Sequence, residues 1–308
     1  MDSTKPPSNQ ESKSPTIVSI SSLSSTLTPP ETSIPYRQIR ALYDDETITV
    51  YQAYSAAIAT PAVNEQKLTA SKDFKLDRMT WIKPSWCWMM YRAGYSYKDS
   101  RQTNILALKI KHENFRYILS CAAITSGHHG PLPASERKKP VRVQWDPERT
   151  ASLGVLPYRS IQIGIGSNDN ARTRHKAKRR EIRAQATHEN RQEWEADEGE
   201  EEEEEEEGNE SKELKRKFVE EWIVEIQDVT NRARRLKEVV EARSKEGKSL
   251  KMEEAVSMGL CPRERVYAVS KELRAILQMD VPGNDDGKQD GVKREEGKKG
   301  GRGKLRLG

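Results

Sequence analysis

Apolar residues in this chain recur with two periods, and they do so in only two stretches. From Thr47 to Ala53, β-branched and aromatic residues alternate, the period-two pattern of a strand. Ser55 then stands where a cap belongs, and Ala56, Ile58 and Ala59 open a helical pattern that Pro61 is expected to break or kink. Trp81 to Gly94 reads as a compact aromatic helix, with Pro84 in its first turn and Gly94 at its C-terminal stop. Residues 104–110 read as a buried strand. Phe115, Ile118, Leu119 and Ala122 follow at helical spacing. Val141–Trp145 is a strand expected to end at Asp146 and Pro147, and Tyr158–Gly166 is another, alternating Ile161, Ile163 and Ile165.

The pattern stops after Gly166 and resumes near Leu214. A strand is expected over Trp222–Val229 and a basic amphipathic helix over Val229–Val240. A last helix is expected over Arg265–Met279, with Val269, Leu273, Ile276 and Leu277 as its apolar stripe. Together these elements predict an α+β fold: one compact mixed domain, built from residues 36–166 and 214–280, with a central, mostly antiparallel sheet and flanking helices.

Composition explains the gaps. Residues 1–35 contain 21 Ser, Thr and Pro residues and no apolar period, which reads as a disordered leader. Residues 172–183 carry seven basic side chains and one acid; residues 193–213 carry 14 acids and one base, including eight consecutive glutamates, Glu200–Glu207. Like charges repel along such runs, so 167–213 is expected to be a disordered charged insertion. Residues 281–308, with 8 of the chain's 18 glycines, read as a disordered tail. The formal net charge of +5 is a mild bias and says little about function.

Three cysteines, Cys87, Cys121 and Cys261, lie far apart without paired spacing, which fits a reducing compartment and argues against a disulfide framework or a zinc site. No stretch approaches the roughly 18 apolar residues of a membrane span, and the N-terminus lacks a secretory profile. A soluble protein of the cytoplasm or nucleus is expected. Residues 172–180 have the look of a nuclear-import patch, with a solvated basic run paired to the acidic run as the alternative.

Ordered pieces of the chain resemble the domain of unknown function 4291 family. The likeness rests on Ile39–Ala41, Val50–Tyr54, the Trp-rich stretch Arg78–Gly94, Val143–Arg149 and Arg159–Gly164, with Glu221–Thr230 and Pro262–Tyr267 similar to the family's closing strand and final turn. The family name carries no activity. The resemblance implies a domain and leaves the chemistry open.

Candidate chemistry falls in these motifs. Arg78, Lys83 and Arg92 interleave with Trp81, Trp86 and Trp88. Cations beside aromatic faces can hold a planar ligand by stacking and its phosphate by pairing. Trp86, Met89 and Met90 at helical spacing equally suit a core. Tyr51 and Gln52 offer a hydroxyl and an amide on opposite faces of one strand. Asp146 can act as a base or accept a hydroxyl, and Arg149 can pair a phosphate. The alternative is a turn at Asp146–Pro147 with Glu148 and Arg149 in solvent. Arg159 and Gln162 share the cleft if their strand pairs with that of Asp146. Tyr51, Gln52 and Asp146 are thus the candidate catalytic groups. Arg78, Trp81, Lys83, Trp88, Arg92, Arg149, Arg159 and Gln162 are the candidate ligand-binding groups. No cofactor is assigned.

Phosphate-cradling, Rossmann and nucleophile-elbow signatures are absent. His128 and His129 lack matching metal ligands, and Cys87 reads as a small buried residue. Three readings stay open. One is an enzyme or binder of a nucleotide-type ligand, loosely similar to compact ADP-ribosyltransferase folds, a fold-level analogy only. Another is a module for RNA or single-stranded nucleic acid. The last is an interaction protein working through its charged insertion.

Overall fold

The alternation at Thr47–Tyr54 forms strand β2 in the computed structural model, which describes residues 35–125, 132–166 and 209–280. β2 pairs antiparallel with β4 (Asn104–Lys111), from Thr47 opposite Lys111 to Tyr54 opposite Asn104. β4 pairs antiparallel in turn with β8 (Ile223–Asp228). A second sheet has the order β3 (Thr80–Ile82), β7 (Val155–Ile165), β6 (Val141–Arg149), β5 (Ala122–Ile124). All its pairings are antiparallel except the parallel β5–β6 pair. Short strands β1 (Arg40–Ala41) and β9 (Arg265–Val266) form a third ladder.

The fold is therefore a mixed α+β arrangement of antiparallel sheets and flanking helices, but the expected central sheet is divided. The two larger sheets meet at one backbone bridge, Tyr51 to Lys83, with N–H to carbonyl distances of 2.7 and 3.1 Å. On either side of this bridge the ladder stops: Gln52 Nε2 takes the Trp81 carbonyl, and the chain turns at Ser85 into a helix.

The main core fills the space between these sheets. Ile48, Val50, Leu106, Leu108 and Ile110 come from one, and Val141, Val143, Trp145, Ile161, Ile163 and Ile165 from the other. Phe115, Ile118 and Leu119 of α3 (His112–Ser120) join them. Each such aliphatic side chain contributes roughly 1.5–3 kcal/mol by leaving water. Because odd positions of β6 face this core, its even positions Arg142, Gln144 and Asp146 face outward.

A second cluster surrounds α2 (Trp86–Ala93), whose Trp86, Met89, Met90 and Ala93 pack on Ile105 and Ala107 of β4. Ala233 and Leu236 of a later helix, Thr230–Lys245, complete it. The aromatic helix thus starts later than the periodicity suggests. A residue before proline avoids the helical region, so Lys83 stays extended, and Ser85 becomes the N-cap, its Oγ accepting from Trp88 N at 3.2 Å. Gly94 ends the helix in the left-handed conformation, as expected.

Other boundaries also move. Helix α1 (Ala56–Asn64) continues through Pro61; the carbonyl of Ala57, which Pro61 cannot serve, accepts from Ser71 Oγ at 2.8 Å. Ala122 begins β5 instead of ending α3, and β6 runs on to Arg149 past a register shift at Pro147. The expected last helix splits into β9 and a shorter helix, Lys271–Ile276, capped by Ser270. Residues 209–217 are helical, with Ser211, Leu214 and Lys215 buried, so residues 209–213, expected within the charged insertion, are part of a helix. All described residues fall in one compact unit. The leader to residue 34, residues 167–208, the tail from 281, and His128 and His129 lie outside the described residues. Among those described, no helix is long and apolar enough to cross a membrane.

Candidate functional site

Register gathers several of the candidate residues. Trp81 stands opposite Gly164, Gln144 opposite Gln162, and Asp146 opposite Ser160. Directly opposed residues share a face, and Lys83 follows Trp81 by two, so all of these point away from the core. Gly164 is the floor under Trp81. A Cβ there would meet Met79 Sδ at 2.5 Å and the Trp81 ring at 3.0 Å, so a larger residue requires both side chains to shift. Gln162 Nε2 donates to Gln144 Oε1 across the pair.

Lys83 occupies the centre. The residue is 4% exposed, and its ammonium lies 4.5 Å from the centroid of Trp88 and 5.9 Å from that of Trp81. Among the described residues it makes no hydrogen bond and no ion pair within 4.0 Å. Burial, opposed by Asp146 and assisted by Arg92, pulls its pKa down to about 7. Burial likewise raises the Asp146 carboxyl, while Lys83, Arg159 and Arg149 pull it back. Asp146 Oδ2 is buried without a hydrogen-bond partner.

Arginines frame this centre. The Arg149 guanidinium stacks 3.6 Å over the Tyr91 ring, and its Nε is buried without a partner. Tyr91 in turn meets Trp88 edge to face at 6.2 Å. Arg159 Nε donates to Tyr36 Oη at 2.8 Å, and Arg92 is exposed in the last turn of α2. Trp81, Lys83, Trp88, Arg92, Asp146, Arg149, Arg159 and Gln162 therefore belong to one neighbourhood.

Three candidates lie elsewhere. Arg78 is exposed, and its carbonyl accepts from Lys215 Nζ. Gln52 is a stitch between sheets, Nε2 donating to the Trp81 carbonyl at 3.0 Å while Oε1 accepts from Tyr54 Oη. Tyr51 packs edge-on to Trp86 at 5.2 Å, and burial, then the charge of Glu264, drive its phenol pKa up. Its hydroxyl is buried without a partner.

The sequence reading missed a second polar cluster at the N-terminus of α2. Glu148, 3% exposed, accepts from Ser85 Oγ and Arg149 N, both at 2.8 Å. Glu264 accepts from Trp86 N at 2.6 Å. Burial raises both carboxyls, and for Glu264 the charge of Glu148 adds to it. Glu264 as a whole residue is half-buried, yet its carboxyl is deeply desolvated. Arg40, beside both carboxyls, donates toward the Glu264 carbonyl at 3.5 Å. Cys87 and Cys261, distant in sequence, interact here, both 4% exposed and both reduced. Glu148 follows Pro147 and reads as a turn residue in the sequence; the bulge turns it inward. Nothing near Glu264 in sequence signals its partners.

Among the described residues no three His, Cys, Asp or Glu side chains form a metal-binding group. A surface hollow of about 680 Å³, lined in part by Leu76, Asp77, Glu213 and Arg216, shares none of the candidate side chains and borders the undescribed stretch. The polar convergence at Lys83 is the better guide to chemistry.

The model of the family described as Domain of unknown function (DUF4291) matches residues 38–206. The match includes every residue of the Lys83 neighbourhood except Tyr36, and stops short of Glu221–Thr230 and Pro262–Tyr267. No curated protein matches the chain.

Proposed function

The chain belongs to the domain of unknown function 4291 family, and on that footing we propose that it binds a nucleotide-type ligand, a planar ring bearing phosphate, on the outward face of the four-stranded sheet. One observation carries this reading. Asp146 Oδ2 and Arg149 Nε, on half-buried side chains, are buried without hydrogen-bond partners among the described residues, and the ammonium of Lys83, a residue 4% exposed, lies over Trp88 in the same neighbourhood. Buried polar atoms without partners are costly and mark places where something else binds. Arg92, Arg149 and Arg159 supply permanent positive charge for phosphate; Trp81, Trp88 and Tyr91 supply aromatic surface for a ring.

The test is equilibrium binding of NAD, ATP and short RNA to the full chain, with Arg149→Ala and Arg159→Ala compared at two salt concentrations. Each substitution removes a charged hydrogen-bond donor and is expected to weaken binding by about tenfold or more while leaving the melting temperature nearly unchanged. A wild-type chain that binds none of these ligands sinks the proposal. Single-stranded nucleic acid is the second reading, favoured by Tyr97, 58% exposed between Arg234 and Lys237 at 5.3 and 5.2 Å. A steep fall of RNA affinity with salt, without ATP competition, selects it. Interaction through the charged insertion concerns residues outside those described.

A further inference from the structure

An outward-facing lysine on a sheet ordinarily carries its ammonium into water. Lys83 departs from this: the residue is 4% exposed, and its amine lies 4.5 and 5.9 Å from two indole rings without a hydrogen-bond partner among the described residues. Burial of an ammonium without an acceptor costs far more than burial of a neutral amine. Trp88 attracts the cation and offsets part of this cost, whereas the Arg92 guanidinium on α2 adds to it. Asp146, with an unpartnered oxygen, is the neighbouring group able to exchange a proton.

We propose that Lys83 is a nucleophilic amine that forms an imine with an aldehyde or ketone group of the phosphate-bearing ligand held at this face. The inference rests on the binding reading above and adds a reaction to it. The Lys83 lone pair attacks the carbonyl carbon, and a proton passes from nitrogen to the carbonyl oxygen, giving a carbinolamine. The Asp146 carboxyl protonates the carbinolamine hydroxyl, which leaves as water as the nitrogen lone pair closes the carbon–nitrogen double bond. Asp146 then recovers the remaining nitrogen proton. One water is released and no oxidant or reductant is consumed. A lysine whose amine is largely neutral near pH 7, as its pKa of about 7 implies, is competent for the first step. The two indoles exclude water, which protects the imine from hydrolysis.

The probe is pyridoxal 5′-phosphate, an aromatic aldehyde bearing phosphate, incubated with the full chain near neutral pH, reduced with borohydride and mapped by mass spectrometry. Lys83 is expected to be labelled on the order of tenfold faster than Lys109, a half-buried lysine paired with Glu225, because far more of its amine is neutral. Its labelling rate should rise through pH values near 7 and then level. Asp146→Asn should slow labelling at Lys83 alone. Pyridoxal, lacking the phosphate, is the control. Labelling of Lys83 no faster than that of Lys109 by either aldehyde overturns the proposal. Binding of ATP or NAD with Lys83 unlabelled overturns the imine and leaves the binding reading standing. Labelling by both aldehydes that ATP does not slow keeps the imine and removes the phosphate site.

Discussion

Lys83 shows how one side chain sets the properties of a site. Its folded pKa of about 7 lies below the ordinary lysine value of 10.5. Between those values the unfolded chain holds a proton that the folded chain has released, so stability rises with pH across that window. The gain is complete above the unfolded value and is lost as pH falls through about 7. Lys83→Met, which keeps the buried stem without the charge, is therefore expected to raise the melting temperature most below pH 7 and least near pH 10. The difference is on the order of 4 kcal/mol between those limits. A pH-independent effect of the substitution means that the amine is solvated. The sequence already marks Lys83 as a cation among tryptophans. The lack of a partner for its amine is not legible there, because that depends on how far Asp146 and the carboxylates of later strands stand from it.

At the scale of elements, the Trp-rich stretch was visible as a unit, but its division into strand, Pro84 and capped helix was not. Aromatic periodicity is compatible with either assignment. The decision rests on Ser85 capping α2 and on β7 offering Thr80–Ile82 a ladder, and the second is a long-range fact. The same holds for β9, two residues that pair with the distant β1. Gly164 ties these elements together. Gly164→Ala is expected to lift the Trp81 ring off β7, costing roughly 1–3 kcal/mol by overpacking. Denaturant unfolding measures this, and an unchanged midpoint means that Met79 and Trp81 move aside freely. Strands whose two faces differ in polarity, such as β2 and β6, were the most legible elements. The bulge after Pro147, which carries Glu148 inward, was the least.

For the molecule as a whole, the mixed fold class was legible in the apolar periodicity. That the sheets are two was not legible, because their separation depends on which edges find partners. The helix at 209–217 carries buried Leu214 and Lys215, the latter donating to the carbonyls of Lys75 and Leu76 at 3.1 and 2.7 Å. A replacement of the charged run must therefore stop before it. Exchanging 170–205 for a short Gly/Ser linker is expected to leave cooperative thermal unfolding intact, since closure entropy changes by only about 0.6 kcal/mol per doubling of loop length. A broad or absent transition in a melting experiment shows that the run belongs to the folded unit.

The bridge between Tyr51 and Lys83 gives these scales a common mechanical joint. Beside it, Gln52 Nε2 makes a further bond to the Trp81 carbonyl. The strand that ends at the buried amine is thus fastened to the strand whose phenol faces Glu264. The Lys83 backbone and Tyr51 are held in one hydrogen-bonded unit, so a substitution that shifts either strand is expected to disturb both polar clusters.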